Sequence, residues 1–305
     1  MRPKSFDEFV GQKAALQQIQ LALSSARARG TAIDHVLLSG PPGLGKTTIA
    51  QLIASSSGAR CVETNANIIR TPSDVLAQII NLRDGDVLFL DEIHALPVNV
   101  QEFLYPAMED YKISTISHLN SRSAVTIQLR KFVLVGATTI EGQLTGPMRD
   151  RFGIICRLTP YDIDDIADVI RRASAKDGVR IDEGSVLEIA RRSRSTPRIA
   201  LKYLRRIRDS AIALGLKNSI DVRAVEHAFS VLRITNLGLT DQDHDMLKAL
   251  AKTSSGTMGL QAIAAAINVT AETIENAIEP HLMRIGAIER TPRGRRITDW
   301  GRTLI

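Results

Sequence analysis

The chain has 305 residues, 44% of them apolar and 24% charged, with a net charge of +6. That length and balance describe two or three domains with cores of their own, and exclude a disordered or fibrous chain. No apolar run nears the ~20 residues of a membrane helix, no signal-peptide pattern opens the sequence, and Cys61 and Cys156 stand apart from each other. A soluble, cytoplasmic protein with no membrane partner is therefore expected. The net positive charge favours an acidic partner without naming DNA, and its surplus falls in 157–235.

Residues 1–30 carry Leu16, Ile19 and Leu23 at helical spacing. Arg2 and Phe9-Val10 stand where they either fold over a bound base or merely cap the domain. The apolar run Val36-Leu37-Leu38 then leads into Gly40-Pro41-Pro42-Gly43-Leu44-Gly45-Lys46-Thr47-Thr48, followed by a helical pattern with Ile49, Leu52 and Ile53. Strand, glycine-rich loop and helix N-terminus are the context of a phosphate-binding loop. Glycines let backbone N–H groups close on phosphate, Lys46 adds a mobile cation, and the Thr47 hydroxyl suits Mg²⁺.

A short strand at Cys61-Val62-Glu63-Thr64 and a helix near 73–82 come next. Val87-Leu88-Phe89-Leu90 runs into Asp91-Glu92, which reads as a buried parallel strand delivering two acids at its end. Asp91 suits the Mg²⁺ shell and Glu92 suits polarising a water, whereas His94 fits a structural role as well as a catalytic one. Tyr111 to Leu129 suggests a hairpin over 113–127 around His118-Leu119-Asn120-Ser121. A second buried strand, Phe132 to Gly136, ends in Thr138 and Thr139, either sensing phosphate or capping the strand. Pro147-Met148-Arg149-Asp150-Arg151-Phe152 holds arginines that are surface charges in a self-contained ATPase, and one of them is an arginine finger in a ring.

From about 157 the pattern is helical, with Ile163, Ile166, Val169 and Ile170 in one helix and Val186, Leu187, Ile189 and Ala190 in another. Thr196-Pro197 starts a third, with Thr as N-cap and Pro at the first position. Arg198 sits in that first turn, where a cation opposes the helix dipole and calls for an anion to face. After the linker Asn236 to Thr240, three helical patterns and two short strands, Ala287–Arg290 and Arg295–Thr298, read as a winged helix. Its third helix carries Glu272, Glu275 and Glu279, which repel phosphate, so contact through Arg290, Arg293, Arg295 and Arg296 of the wing is expected instead. Docking of protein on that wing is the alternative.

These segments resemble the AAA+ ATPases and, within them, the RuvB family of Holliday-junction branch-migration motors. Matching stretches are Arg2-Pro3, Glu8 to Gln12, Asp34 through Thr48, Asp86 through His94, Leu104 to Asp110, Gly136 to Thr139, Arg149 to Ile154, Thr196 to Ala200 and Arg290 to Arg295. The resemblance implies an AAA+ α/β P-loop domain with a parallel sheet over 1–156, a small helical lid over 157–235 and a C-terminal winged helix over 236–305. It implies ATP and Mg²⁺ as cofactors, held by Arg2, Gly43, Gly45, Lys46, Thr47, Thr48, Glu109, Asp110, Tyr111, Tyr161 and Arg198. Thr139 takes the place of sensor 1, Arg151 of the arginine finger and Arg198 of sensor 2. Arg290 and Arg295 match positions of DNA contact. The implied assembly is a homohexamer on duplex and Holliday-junction DNA, partnered by the junction-binding protein RuvA. The stretch Ser114 to Arg122 departs from the family's RuvA-docking hairpin, being more polar, and Ala95 replaces an arginine, so the RuvA partnership does not carry over with the rest. A loader that acts on another DNA-bound ring and a protein remodeller are the rival functions.

Overall fold

The computed structural model describes residues 2–116, 124–216 and 218–305, which form two compact units, Met1–Pro160 and Tyr161–Ile305. The first contains α1 (Lys13–Arg29), β1 (Val36–Ser39), α2 (Lys46–Ser56), β2 (Cys61–Asn65), α3 (Pro72–Ile79), β3 (Val87–Asp91) and α4 (Val98–Glu109). It continues with β4 (Lys112–Ile116), β5 (Ala124–Gln128), β6 (Val133–Thr138), α5 (Gly146–Asp150) and β7 (Ile154–Arg157). Five strands make one sheet in the order β2-β3-β6-β1-β7, with every neighbouring pair parallel. All residues of β1 and β6 are buried, as in a sheet covered on both faces. Leu37, Leu88, Leu90 and Leu134 pack with Val75, Val100, Leu104 and Phe132 in one core cluster.

Register fixes what the sheet delivers. Leu37 and Leu90 both lie level with Gly136, so Ser39, Thr138 and Glu92 leave the same edge two residues later. Gly136 is closely covered, since a Cβ there would stand 2.8 Å from Ile93 Cδ1 and 3.1 Å from the Phe152 ring, and Ile93 would have to shift. The opposite edge is closed by His35, whose Nδ1 accepts from Leu134 N at 2.9 Å and whose Nε2 lies 3.1 Å from Met108 O. Asp86 is also there, buried and bonded to Arg60 and to the Arg83 backbone, so this acid is structural. The hairpin expected over 113–127 is β4–β5, with Ile113 opposite Ile127. Its tip at 117–123, with His118 to Ser121, lies outside the described residues.

The second unit begins with α6 (Ile163–Lys176), β8 (Arg180–Ile181), α7 (Glu183–Arg192), α8 (Pro197–Ala213), β9 (Ser219–Ile220) and α9 (Val222–Val231). Asp162, Asp182 and Asp221 cap α6, α7 and α9, each accepting from the backbone N–H three residues on. Thr196 precedes α8 as expected, with Pro197 at the first position. Its hydroxyl does not cap the helix but donates to Arg194 O at 3.0 Å. Arg194 and Ser195 both have positive φ, 51° and 54°, a conformation that costs non-glycine residues energy and that the surroundings must hold.

The chain continues through α10 (Asp241–Ala251), β10 (Thr257–Met258), α11 (Leu260–Ala266), α12 (Ala271–Thr273), a π turn (Ile274–Ile278), α13 (Glu279–Arg284), β11 (Ile288–Thr291), β12 (Gly294–Ile297) and α14 (Asp299–Arg302). The expected two-stranded wing is a three-stranded sheet, because Thr257 and Met258 pair with Arg296 and Arg295. Two residues are too short to display a strand period in sequence. The third helix is not uniform either. Pro280 offers no N–H to the helix ladder, and the preceding turn is widened into the π form.

Arg194 ties these parts together within the second unit. Its guanidinium donates to Gly238 O at 2.8 Å and to the buried Asp243 carboxylate, which also accepts from Thr240 N. Nearby, the His281 Nε2 lies 2.9 Å from Leu237 O. Burial and the positive Arg194 lower the His281 pKa from 6.5 to about 4. Between those values the unfolded chain takes up a proton that the folded chain refuses. Stability of the second unit is therefore unaffected by this group above 6.5 and falls as pH drops toward 4. The slope is at most about 1.4 kcal/mol per pH unit. Urea unfolding at stepped pH should show this loss, and His281→Gln should flatten the slope by one proton.

Candidate functional site

The loop between β1 and α2 starts at the C-terminal edge of the sheet. Gly43 and Gly45 have φ of 82° and 105°, which non-glycine residues rarely adopt. A Cβ on Gly45 would also stand 2.8 Å from the Phe9 ring, so the N-terminal segment folds directly against this loop. Gln12 anchors that segment through two bonds to Thr159, one from its Nε2 to Thr159 O at 2.7 Å and one from Thr159 N at 3.1 Å. The segment thus packs against the loop through Phe9 and Gln12, while Arg2 itself is exposed.

Lys46 is 7% exposed and turns its ammonium back to the loop, donating to Gly40 O at 2.6 Å and Pro41 O at 3.1 Å. A buried cation held over a ring of backbone N–H groups at a helix start is a seat for an anion. Thr47 and Thr48 follow it in the first turn of α2, half-buried. Asp91 ends β3, and Glu92 N donates to its Oδ1 at 3.1 Å. Among the described residues no group of three or more His, Cys, Asp or Glu side chains suits a metal by itself. The Thr47 hydroxyl, with the Asp91 carboxylate acting through water, would suit Mg²⁺ bound together with phosphate oxygens.

Glu92 has φ 50°, a strained left-handed conformation for a glutamate. Thr139 donates its hydroxyl to Glu92 Oε2 at 3.1 Å, and His94 Nδ1 lies 3.3 Å from the same oxygen. His94 is in turn 2.9 Å from Thr138 Oγ1. Both contacts fall on Oε2, and no described residue hydrogen-bonds Oε1. A carboxylate clamped on one oxygen and open on the other is suited to orient a water. The sequence left His94 and Thr139 open between roles, and here both hold Glu92.

The residues Glu109, Asp110, Tyr111 and Arg151 stand elsewhere. Met108 O touches His35 at the N-terminal edge of β1, and the Tyr111 ring lies 6.4 Å from the His35 ring and 6.0 Å from that of Phe132. Arg151 precedes β7, whose first residue Ile154 bonds His35 O at that same edge. The Arg151 guanidinium lies 4.0 Å over the Tyr105 ring, pairs with Glu109 at 3.1 Å and donates to Pro147 O at 2.7 Å. Its Nε is buried with no partner among the described residues. These four residues therefore do not join the loop of their own chain. Arg149, by contrast, is exposed.

In the second unit Tyr161 is buried, with its N–H on Ser195 O at 3.0 Å. Arg198 is exposed in the first turn of α8 and forms no ion pair with any described residue. On the wing, the four arginines are not equivalent. Arg290 is 57% exposed and bonds Glu279 through Nε, while Arg295 is 13% exposed and gives Glu279 both Nε and Nη2, at 3.2 and 2.9 Å. Arg296 pairs with Glu289, and Arg293 is exposed at the turn. Glu279 corrects the expectation for the third helix. It is buried, and two arginines neutralise it, so only Glu272 and Glu275 face solvent there. Burial works to raise its pKa, but the hydrogen bonds from Arg290 and Arg295 outweigh this and lower it. The signal was present in sequence, since an acid beside Ile278 in a run of buried Ile274, Ile278 and Leu282 needs a cation.

Three family models match the chain: the Holliday junction DNA helicase RuvB P-loop domain over 1–158, the RuvB AAA lid domain over 161–235 and the RuvB C-terminal winged helix domain over 236–305. Among solved structures, a point mutant of Thermotoga maritima RuvB is 40% identical, with TM-score 0.92, covering 100% of this chain and 98% of that one. A Thermotoga maritima RuvB described as a Holliday junction branch migration motor is 39% identical, with TM-score 0.90, covering 99% and 97%.

Steady-state kinetics and nucleotide binding can separate the two roles at the carboxylate. Glu92→Gln should lower kcat for ATP by at least about 100-fold while nucleotide still binds. Thr139→Val should lower kcat by about tenfold, with nucleotide affinity within about twofold, because it frees the carboxylate without touching the loop. A Thr139→Val enzyme with normal kcat would show that the hydroxyl does not position Glu92.

Proposed function

Because the chain belongs to the RuvB family, AAA+ ATPases that drive ATP-dependent branch migration of Holliday junctions, we propose that it works as a homohexameric ring whose ATP sites are each completed by the neighbouring copy. The observation that carries this reading is the position of Arg151 and Glu109 at the edge of the sheet away from the phosphate loop. An arginine held by one carboxylate and stacked on Tyr105 is already ordered, and moving it to a γ-phosphate exchanges one anion for another. A finger supplied in trans contributes on the order of 10³–10⁵ in rate. Glu109, Asp110 and Tyr111 accompany it into the same interface.

In the cis half of the site, the loop from Gly43 to Thr48 binds the phosphates, with Lys46 leaving its carbonyls for phosphate oxygens. Mg²⁺ at Thr47 and Asp91 would neutralise charge on the phosphates and align them for in-line attack. Glu92, fixed by Thr139 and His94, orients the attacking water. Arg2 and Phe9 close over the base, and Tyr161 with Arg198 brings the lid into contact with the nucleotide. Arg198, exposed and unpaired among the described residues, suits a phosphate. Turnover is stimulated by DNA, which the wing holds by its backbone, so motion is independent of sequence. The reading includes a cytoplasmic setting. RuvA is not proposed as the partner, because Ser114 to Arg122 is more polar than the family's RuvA-docking hairpin.

Mixing two inactive variants tests the shared site. Arg151→Ala should lose at least about 10³ in DNA-stimulated ATP turnover, and Glu92→Gln should be equally inert. An equimolar mixture should regain a measurable fraction, because some interfaces then pair an intact Glu92 with an intact Arg151. If the mixture stays as inactive as its components while both still assemble, the trans arginine is wrong.

A further inference from the structure

The wing holds an unusual pairing. Arg290 and Arg295 are directly opposite each other on the antiparallel strands β11 and β12. Like charges at such a position repel and destabilise the pair. Beneath them lies the Glu279 carboxylate, its side chain 1% exposed, with one oxygen on each arginine: Oε1 accepts from Arg290 Nε, and Oε2 accepts from Arg295 Nε and Nη2. Glu275 also takes Arg295 Nη2, at 3.1 Å. Arg295 is thereby committed to carboxylates on two sides. Arg290 is bound only along its Nε edge, its two terminal nitrogens bond no described residue, and its side chain is 57% exposed.

Resting on the reading that the wing meets DNA phosphates, we infer that Glu279 is a positioning residue for DNA binding: it anchors Arg290 by Nε so that the terminal fork of the guanidinium is presented, already oriented, to one phosphate. Arg295 acts from behind as the buttress that fixes the carboxylate. The advantage is entropic, because a free arginine gives up rotamer freedom on being ordered and a held one gives up less. A planar fork also binds a phosphate through two parallel hydrogen bonds, which a loosely directed cation does not do as often.

Removing an acid from a DNA-binding face ordinarily tightens binding, since one repulsive charge is lost. Here Glu279→Gln should weaken binding of a fluorescein-labelled duplex by the full-length protein about 3- to 10-fold, read by anisotropy in a non-hydrolysable ATP analogue. Arg290→Ala should weaken it comparably and reduce the salt slope of log Kd by about 0.9, the value of one phosphate. In the Arg290→Ala background, Glu279→Gln should have less than about twofold effect, because nothing remains to position. If Arg290→Ala leaves affinity and slope unchanged, the wing does not contact DNA through this residue and the underlying reading fails. If Arg290→Ala weakens binding while Glu279→Gln is neutral or tighter, the positioning role alone is overturned. Should Glu279→Gln fail to fold, Arg290→Lys decides, since the exposed site keeps its charge but loses the fork. Weakening close to that of alanine supports the inference, and wild-type affinity refutes it.

Discussion

A parallel sheet has two unlike edges, and most of this chain's chemistry follows from that. Every strand in β2-β3-β6-β1-β7 runs the same way, so the phosphate loop, Asp91, Glu92 and the threonines after β6 all emerge at one edge. The level of Leu37, Gly136 and Leu90 brings Thr139 within 3.1 Å of Glu92. The same direction rule sends the chain before β7 to the opposite edge, and Arg151 with it. On the proposed trans reading, a site needing both Glu92 and Arg151 is incomplete in one copy, and assembly is part of catalysis.

A second constraint operates in the other unit. Arg194 and Ser195 are held at positive φ between α7 and α8, and the Arg194 guanidinium is satisfied by Gly238, Asp243 and Ala277 from the winged-helix segment. Buried charges persist where they are paired, and removing one partner typically costs about 3–5 kcal/mol; here all the bonds to Asp243 fall on Oδ2. Arg284 adds a bond to Arg194 O at 2.9 Å. Arg198 lies in the first turn of α8 only a few residues later, so the helix that carries it is joined by side chains to the winged-helix segment.

Legibility in sequence followed locality. The phosphate loop, the acid-ended strand, the Thr196-Pro197 helix start and the winged helix each rest on neighbours within about ten residues, where spacing and turn chemistry carry the information. What escaped depends on distant partners. The Thr257-Met258 strand exists only because β12 is beside it, and Glu279 looked like an acid on a reading helix because Arg290 and Arg295 come later in the chain. Pro280 was not read as an interruption of the third helix, and the π turn before it depends on packing around Ile274 and Ile278. Arg151 and Arg149 could not be told apart by pattern. Their surroundings differ, Arg151 lying over the Tyr105 ring and pairing with Glu109 while Arg149 is exposed.

The central claim is that one copy cannot hydrolyse ATP alone. The most direct measurement is specific ATPase activity across a wide range of protein concentration, with the oligomeric state followed in parallel by analytical ultracentrifugation. The shared site predicts negligible turnover wherever the protein sediments as a monomer, and a cooperative rise in activity per subunit as rings form. Activity strictly proportional to concentration, with full turnover by monomers, would contradict the account.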